Sequence, residues 1–289
     1  MNDVHADERK VALVTGATNG HGLAVARALA RAGWHVIVHG RAPDRVSGVQ
    51  RTIAAETGRE PEALLCDLAS GPDIDRAAAE LIARDPDRRL HLLVNNAGGV
   101  WPRRVESAEG VEMTFAVNYL AAFRLTLRLV DLLKRSAPAR IVNVSSDMHR
   151  LVSLDPDDPD LSDRRHSWAR AYSNSKLALV HFTRELARRL EGTGVTVNAV
   201  DPGPVRSGIG RNNGDLVDGL LEVLMRFFPP ADDACRTALR VATAPELEGV
   251  TGRYFRFMVE KPPSLGRGRP TLGAELWRRS VELTGVDLA

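Results

Sequence analysis

Short, nearly continuous apolar runs recur along the chain and alternate with longer amphipathic stretches, and no other feature constrains the fold as tightly. The runs are KVALVTG (10–16), HVIVHG (35–40), ALLCDL (63–68), LHLLVNNAG (90–98), RIVNVSS (140–146), VTVNAVDPG (195–203) and RYFRFM (253–258). Strands that are apolar on both faces belong in a parallel sheet covered by helices on both sides. Helical patterns fill the gaps. One runs over Gly22–Ala32 and is stopped by Gly33, and Pro43 opens the next. Others cover Ala108–Arg135 and Ala171–Leu190, the latter with Leu179, Phe182, Leu186 and Leu190 at helical spacing. No internal repeat and no Gly/Ser-rich linker divides the sequence. The expectation is a single doubly wound α/β domain over 10–289 with a mostly parallel seven-stranded sheet, behind a polar tail at 1–9. A C-terminal helix is expected near Leu272–Leu283.

Two stretches break the alternation. Residues 155–170 (DPDDPDLSDRRHSWAR) are charged and interrupted by proline, which reads as a surface loop. Residues 207–230 are Gly-rich and then apolar, a loop carrying one short helix. Both follow strands, and in a doubly wound sheet the connections beyond the C-terminal strand ends surround the ligand crevice. Segment 207–230 is therefore expected to cover a substrate; its apolar part, Leu216–Phe228, suits a hydrophobic molecule, internal packing or a homo-oligomer contact alike.

Charge excludes some partners. The 39 basic and 37 acidic residues nearly cancel, so nothing draws the chain to nucleic acid or an anionic membrane. No run approaches the ~20 apolar residues of a membrane span. MNDVHADERK at the N-terminus lacks the apolar stretch of a signal peptide, which predicts a soluble, cytoplasmic protein. Cys66 and Cys235 share no metal or redox spacing and are expected as reduced thiols. The acidic cluster Asp155–Asp160 lacks the glycine and terminal glutamate of a calcium loop, so no metal site is expected.

Two motifs carry chemistry on their own terms. The first strand ends in Thr15-Gly16-Ala17-Thr18-Asn19-Gly20-His21-Gly22 and runs straight into a helix. Glycines there let the backbone turn sharply and approach a diphosphate, whose charge the helix N-terminus stabilises; the spacing is G-x-x-x-G-x-G, not the dinucleotide fingerprint G-x-G-x-x-G. Tyr172 and Lys176 stand four apart at the start of a helix and so share a face. A cation beside a phenol favours the phenolate and lowers the phenol's pKa from about 10.

Taken in order, TGATNGHG, Asn95-Asn96-Ala97-Gly98, Asn118, Ser145-Ser146, Tyr172-x-x-x-Lys176 and Pro202-Gly203 resemble the short-chain dehydrogenase/reductase family, over residues 10 to about 258. Within it, VNVSSDMHR, the long insert before Tyr172 and SKLALVHFTRELARRL are most similar to the retinol-dehydrogenase-like and WW-domain-oxidoreductase-like branch. The resemblance implies a Rossmann-type domain and a reaction between an alcohol and an aldehyde or ketone, with a nicotinamide cofactor supplying the hydride. It implies Tyr172 as general acid in reduction and general base in oxidation. Lys176 would lower the phenol's pKa and hold the nicotinamide ribose, Ser146 would bind the substrate oxygen, and Asn118 would hold a water leading to Lys176. Cofactor contacts are implied at Gly16, Thr18, Asn19, Gly20, His21, Gly22, Arg41, Asp67, Leu68, Asn95, Ala97, Gly98, Tyr172, Lys176, Pro202, Gly203, Val205 and Ser207.

The cofactor's form follows from charge. Members that use NAD place an acid at the end of the second strand; here it reads His39-Gly40-Arg41, and Arg41 can pair with a 2′-phosphate, which favours NADP over NAD. Asp67 would face the adenine amino group or cap the following helix. His21 stands where the family usually has isoleucine, either tuning cofactor binding or simply tolerated. His149 reads as polar surface or as part of the substrate pocket, His166 and Trp168 as pocket wall, and Arg103-Arg104 as an exposed basic pair or an attractor of an acidic substrate. Two other functions fit the cofactor fold. One is a non-catalytic NADP-binding regulator or scaffold, which has no need of Asn118, Ser146, Tyr172 and Lys176. The other is an internal redox step, as in epimerases and dehydratases, whose C-terminal substrate domains are usually larger.

Overall fold

The computed structural model describes residues 9–85, 87–159, 166–203, 231–266 and 271–288. Seven of its strands match the apolar runs: β1 Val11–Val14, β2 His35–Gly40, β3 Glu62–Leu65, β4 Leu92–Asn95, β5 Ala139–Val144, β6 Val195–Asp201 and β7 Tyr254–Arg256. They are parallel, in the order β3-β2-β1-β4-β5-β6-β7. The order reverses between β1 and β4, and that switch point opens the crevice beyond the strand ends.

The sheet has eight strands rather than seven. β8, Val259–Glu260, turns back antiparallel to β7 with Phe255 opposite Glu260. Phe257 and Met258 make the two-residue turn at φ 49° and 65°. Such turns usually advertise themselves with Asn-Gly or Asp-Gly; this one uses two large apolar residues, so the sequence carries no signal for it.

Alternation within each strand divides the core, although the strands' side chains are mostly apolar. Leu13, Ile37, Leu93, Ile141 and Val197 point to one face. There they meet α3 (Gly71–Ala83), α5 (Ala121–Arg135), α6 (Trp168–Arg189) and the C-terminal α9 (Leu272–Thr284). Ala12, Val14, Val36, Val38, Leu92, Val94, Val142, Val144 and Val200 point to the other. That face is covered by α1 (Gly20–Arg31), α2 (Pro43–Thr57) and α8 (Arg236–Thr243), which follows the short α7 (Ala231–Ala234). On the first face Tyr119, Phe123, Phe182 and Trp277 form one aromatic cluster, with ring centroids 5.0–6.3 Å apart. Tyr119 Oη and Ser280 Oγ, 2.7 Å apart, tie α9 to it. The C-terminal helix thus braces α6.

The helix expected over Ala108–Arg135 begins later, at α4 (Met113–Phe115). It passes through a π turn at Ala116–Leu120 into α5. Gly110 at φ 77° and a bridge between Glu106 and Glu112 hold the preceding residues out of the helix. Glu112 then caps it, accepting from the Phe115 N–H at 2.9 Å. Among the described residues no helix is long and apolar enough to cross a membrane. No group of three or more His, Cys, Asp or Glu is placed to hold a metal ion among them.

Candidate active site at the strand ends

The turn from β1 into α1 is built around one hydroxyl. Thr15 Oγ1 accepts from the backbone N–H groups of Asn96 and Ala97, both at 2.9 Å, and so fastens the turn after β4 to the turn after β1. The Asn96 amide completes the seam, its Nδ2 donating to Thr15 O at 2.8 Å. Its Oδ1 therefore accepts, and His21 Nδ1 donates to it at 2.7 Å. This ties His21 into the turn; burial pushes its pKa down. Gly22 packs so closely that a Cβ there would stand 2.4 Å from Gly16 O and 2.3 Å from Asn96 Nδ2.

The residues fit a dinucleotide. α1 has Asn19 at its N-cap position with no side-chain cap bond and no acid in its first turn, whereas Ser70 caps α3 by accepting from Asp73 N–H. An uncapped N-terminus behind a glycine turn leaves its amides and the positive end of the helix dipole for an anion such as a diphosphate.

A residue that the motif reading passed over holds the same turn from β2. His39 is buried; its Nδ1 accepts from Gly16 N–H at 3.0 Å, so its Nε2 is the protonated nitrogen and donates to Cys66 O at 3.1 Å. Burial pushes its pKa down to about 4. A histidine depressed in the folded state stabilises the fold while neutral, and that contribution fades as pH falls from about 6.5 toward 4. His39→Leu leaves a buried N–H and a buried carbonyl without partners and should cost roughly 2–4 kcal/mol. The loss is read from the urea midpoint, and wild-type stability would refute the clamp. A polar residue set among the apolar residues at 36–40 was its sequence signal.

The second half of the site stands on β5, α5 and α6. Tyr172 and Lys176 lie on one face of α6, with the Lys176 Nζ 5.5 Å from the Tyr172 ring centre. Nζ donates to Val144 O at 2.8 Å, and Ser145 Oγ donates to Lys176 O at 2.9 Å, so β5 fixes the lysine at both ends. Ser146, next in the chain, accepts from Met148 N–H at 3.4 Å, and its side chain favours the charged form of the Tyr172 phenol. Asn118 lies in the π turn, where its amide brackets Gly99, accepting from the N–H at 2.7 Å and donating to the carbonyl at 3.0 Å. A Cβ on Gly98 would touch both Asn118 Oδ1 (3.2 Å) and Lys176 Nζ (3.6 Å). Tyr172, Lys176, Ser146 and Asn118 thus come together at the C-terminal ends of the central strands.

Electrostatics here oppose one expectation from the sequence. The phenol lies above rather than below its ordinary range: burial pushes Tyr172 up to about 12, the Ser146 side chain offsets part of that, and the charge of Asp201 adds to it. Lys176 moves the other way, to about 8, because burial disfavours its ammonium more than Asp201 supports it.

Other expected positions sort by where their side chains go. Asn95 turns into the core: its Nδ2 donates to Thr126 Oγ1 and Asn143 Oδ1, both at 2.9 Å, in a ladder beneath the site, and Asn96 faces the cofactor turn instead. Asp67 is exposed and turns the chain by accepting from Ala69 N–H at 3.0 Å, the cap of α3 being Ser70. Leu68 packs at the edge of the core. Arg41 is exposed at the end of β2, with Thr18 packed over neighbouring Gly40. Ala97 and Gly98 follow β4, and Pro202 and Gly203 follow β6. Val205, Ser207 and segment 207–230 lie outside the described residues.

His149 is wholly buried rather than surface. It accepts from Ser264 N–H at Nε2 (3.1 Å) and donates from Nδ1 to Ser146 O (2.8 Å), steadying the serine turn. His166 Nε2 lies 3.3 Å from Trp101 O, and Trp168 is about half exposed. Arg104 pairs with Glu106 at 3.1 Å.

Comparison with known proteins agrees with this geometry. The enoyl-(acyl carrier protein) reductase family model matches residues 16–226. Human retinol dehydrogenase 13 is 36% identical, over 96% of this chain and 85% of its own. Human polyprenol dehydrogenase is 38% identical over 96% and 86%. Among solved structures, an uncharacterized protein of Mycobacterium paratuberculosis superposes with a TM-score of 0.75 at 28% identity, over 98% of this chain and 95% of that one. The Pseudomonas aeruginosa RhlG/NADP active-site complex has a TM-score of 0.68 at 28% identity, over 86% and 94%.

Proposed function

The chain belongs to the short-chain dehydrogenase/reductase family, and on that premise we propose that it is an NADP-dependent oxidoreductase interconverting an apolar alcohol and its aldehyde or ketone. The observation that carries the proposal is the meeting of Tyr172, Ser146 and Lys176 at the mouth of a glycine turn built for a dinucleotide. When bound, the cofactor supplies or accepts the hydride; the chain supplies orientation and the proton.

The Ser146 and Tyr172 hydroxyls both serve the same site, so a carbonyl oxygen placed between them would receive two donors. With its phenol at about 12, Tyr172 keeps its proton throughout the neutral range and stands ready to donate it as the oxygen gains charge. Lys176, largely protonated below about pH 8, offers its ammonium to a ribose hydroxyl. Asn118 fixes the Gly99 backbone at both its N–H and its carbonyl, beside the lysine.

For the cofactor's form, the support is Arg41 at the end of β2 with no acid at His39-Gly40-Arg41. RhlG, whose structure holds NADP, is a neighbour in fold. For an apolar substrate, the support is the likeness to dehydrogenases named for retinol and polyprenol.

The test is titration of the protein with NADPH and NADH, followed by absorbance at the nicotinamide band with retinoid, prenyl and short-chain carbonyls. NADPH oxidation on an apolar carbonyl is expected. Tight binding without turnover across the panel would favour a cofactor-binding regulator. Arg41→Asp should weaken NADPH roughly tenfold or more, the loss of one charge-assisted pair, and leave NADH nearly unchanged. Equal effects on the two would remove Arg41 from the argument.

A further inference from the structure

Asp201 ends β6 immediately before Pro202-Gly203, and its side chain is only 4% exposed. A buried carboxylate is costly unless its lone pairs are met, and here they are met from two directions. Its Oδ1 accepts from Gly203 N–H at 2.8 Å. Its Oδ2 accepts from Asp147 N–H at 3.1 Å and forms an ion pair with Arg256 Nε at 3.0 Å. Asp147 is the residue after Ser146. One carboxylate therefore joins the serine's turn to the turn that follows β6.

The surrounding charges are few. β7 presents Arg256, which also pairs with Asp147, and Tyr254, whose hydroxyl donates to Asp147 Oδ1 at 3.4 Å. The turn after β5 presents Asp147, Arg150, paired with Asp147 at 2.6 Å, and the neutral His149. α6 presents Tyr172 and Lys176. Two carboxylates and two guanidiniums balance one another, and Asp201 is the acid whose charge acts on both Tyr172 and Lys176.

We propose that Asp201 is a positioning residue, its buried carboxylate holding the Ser146 turn against the Pro202-Gly203 turn and so fixing a negative charge beside the serine. It rests on the reading of Tyr172 as the proton carrier and extends it to a residue outside the Ser-Tyr-Lys set. Asp201→Asn keeps the shape and an oxygen for Gly203 N–H. It removes the charge, and its NH2 group, standing where Oδ2 was, can neither accept from Asp147 N–H nor pair with Arg256 Nε.

The chain's tyrosines number three, so near-ultraviolet tyrosinate absorbance can follow them singly. Tyr119 and Tyr254 are buried more strongly against ionisation than Tyr172, which titrates first. Lys176 has given up its proton well before that pH, leaving Asp201 as the charge that matters most. Asp201→Asn should move the Tyr172 midpoint down by about one unit, the order of effect of a nearby like charge. The same variant carrying Tyr172→Phe identifies the step, and circular dichroism along the titration confirms the fold. Arg256→Met is the second variant: it leaves Asp201 charged and unscreened, so the midpoint should rise. Shifts in opposite directions are the expected result. An unchanged midpoint in Asp201→Asn, or a fall in both variants from a loosened turn admitting water, would overturn the assignment. The titration uses neither cofactor nor substrate. Opposite shifts in a protein that turns over no carbonyl would leave the Asp201 assignment standing and sink the oxidoreductase reading. Turnover with no shift would do the reverse.

Discussion

Tyr172→Phe should abolish carbonyl turnover by roughly a hundred- to ten-thousand-fold, the usual worth of a positioned general acid, while NADPH still binds. The phenol is half-buried and its ring lies beside the Lys176 ammonium, so phenylalanine fills the same space and removes only the hydroxyl. Lys176 keeps its bond to Val144 O, and Ser146 remains held through His149 and Asp147. The loss should therefore fall on kcat, with the cofactor's Kd changed by no more than a small factor. Stopped turnover together with lost cofactor binding would mean that the ring and hydroxyl build the pocket rather than carry the proton.

The second large effect is expected at Gly22. An alanine there puts Cβ 2.4 Å from a backbone carbonyl and 2.3 Å from the Asn96 amide. Neither can move cheaply: the carbonyl is part of the turn, and Asn96 is held by Thr15 and His21. Overpacking of this kind costs about 1–3 kcal/mol, and the distortion falls on the amides that face the diphosphate. Gly22→Ala should lower NADPH affinity at least tenfold, about 1.4 kcal/mol, with a lower urea midpoint. Fluorescence titration with NADPH reads the first and denaturation the second. Wild-type affinity would show that the cofactor does not depend on this close approach.

Much of the architecture was legible because it rests on local pattern. Seven strands were readable as apolar runs, since burial on both faces leaves few polar residues in 11–14, 92–95 or 139–144. The shared face of Tyr172 and Lys176 followed from helical spacing. What the sequence did not carry depends on contacts between distant segments. β8 hangs on a turn of Phe257 and Met258, held in the left-handed region without the usual glycine. Asn95 and Asn96 are adjacent and chemically identical, yet one faces the core and the other the cofactor turn because successive residues alternate sides of a strand. His149 read as surface because its partners, Ser146 O and Ser264 N–H, stand 3 and 115 residues away. The direction of the Tyr172 shift was missed for a similar reason. The i, i+4 lysine is visible in the sequence, whereas the desolvation and the Asp201 charge that outweigh it arise only once α6 packs on β5 and β6.

The measurement that bears most directly on the account uses NADPH carrying deuterium at the transferable C4 position. The protein is incubated with it and an apolar aldehyde such as a retinal, and the alcohol product is analysed by mass spectrometry. The account predicts one deuterium on the carbinol carbon of each product molecule, formed by the wild-type protein and suppressed in Tyr172→Phe. Alcohol formed without the label, or formed equally well by Tyr172→Phe, would contradict it.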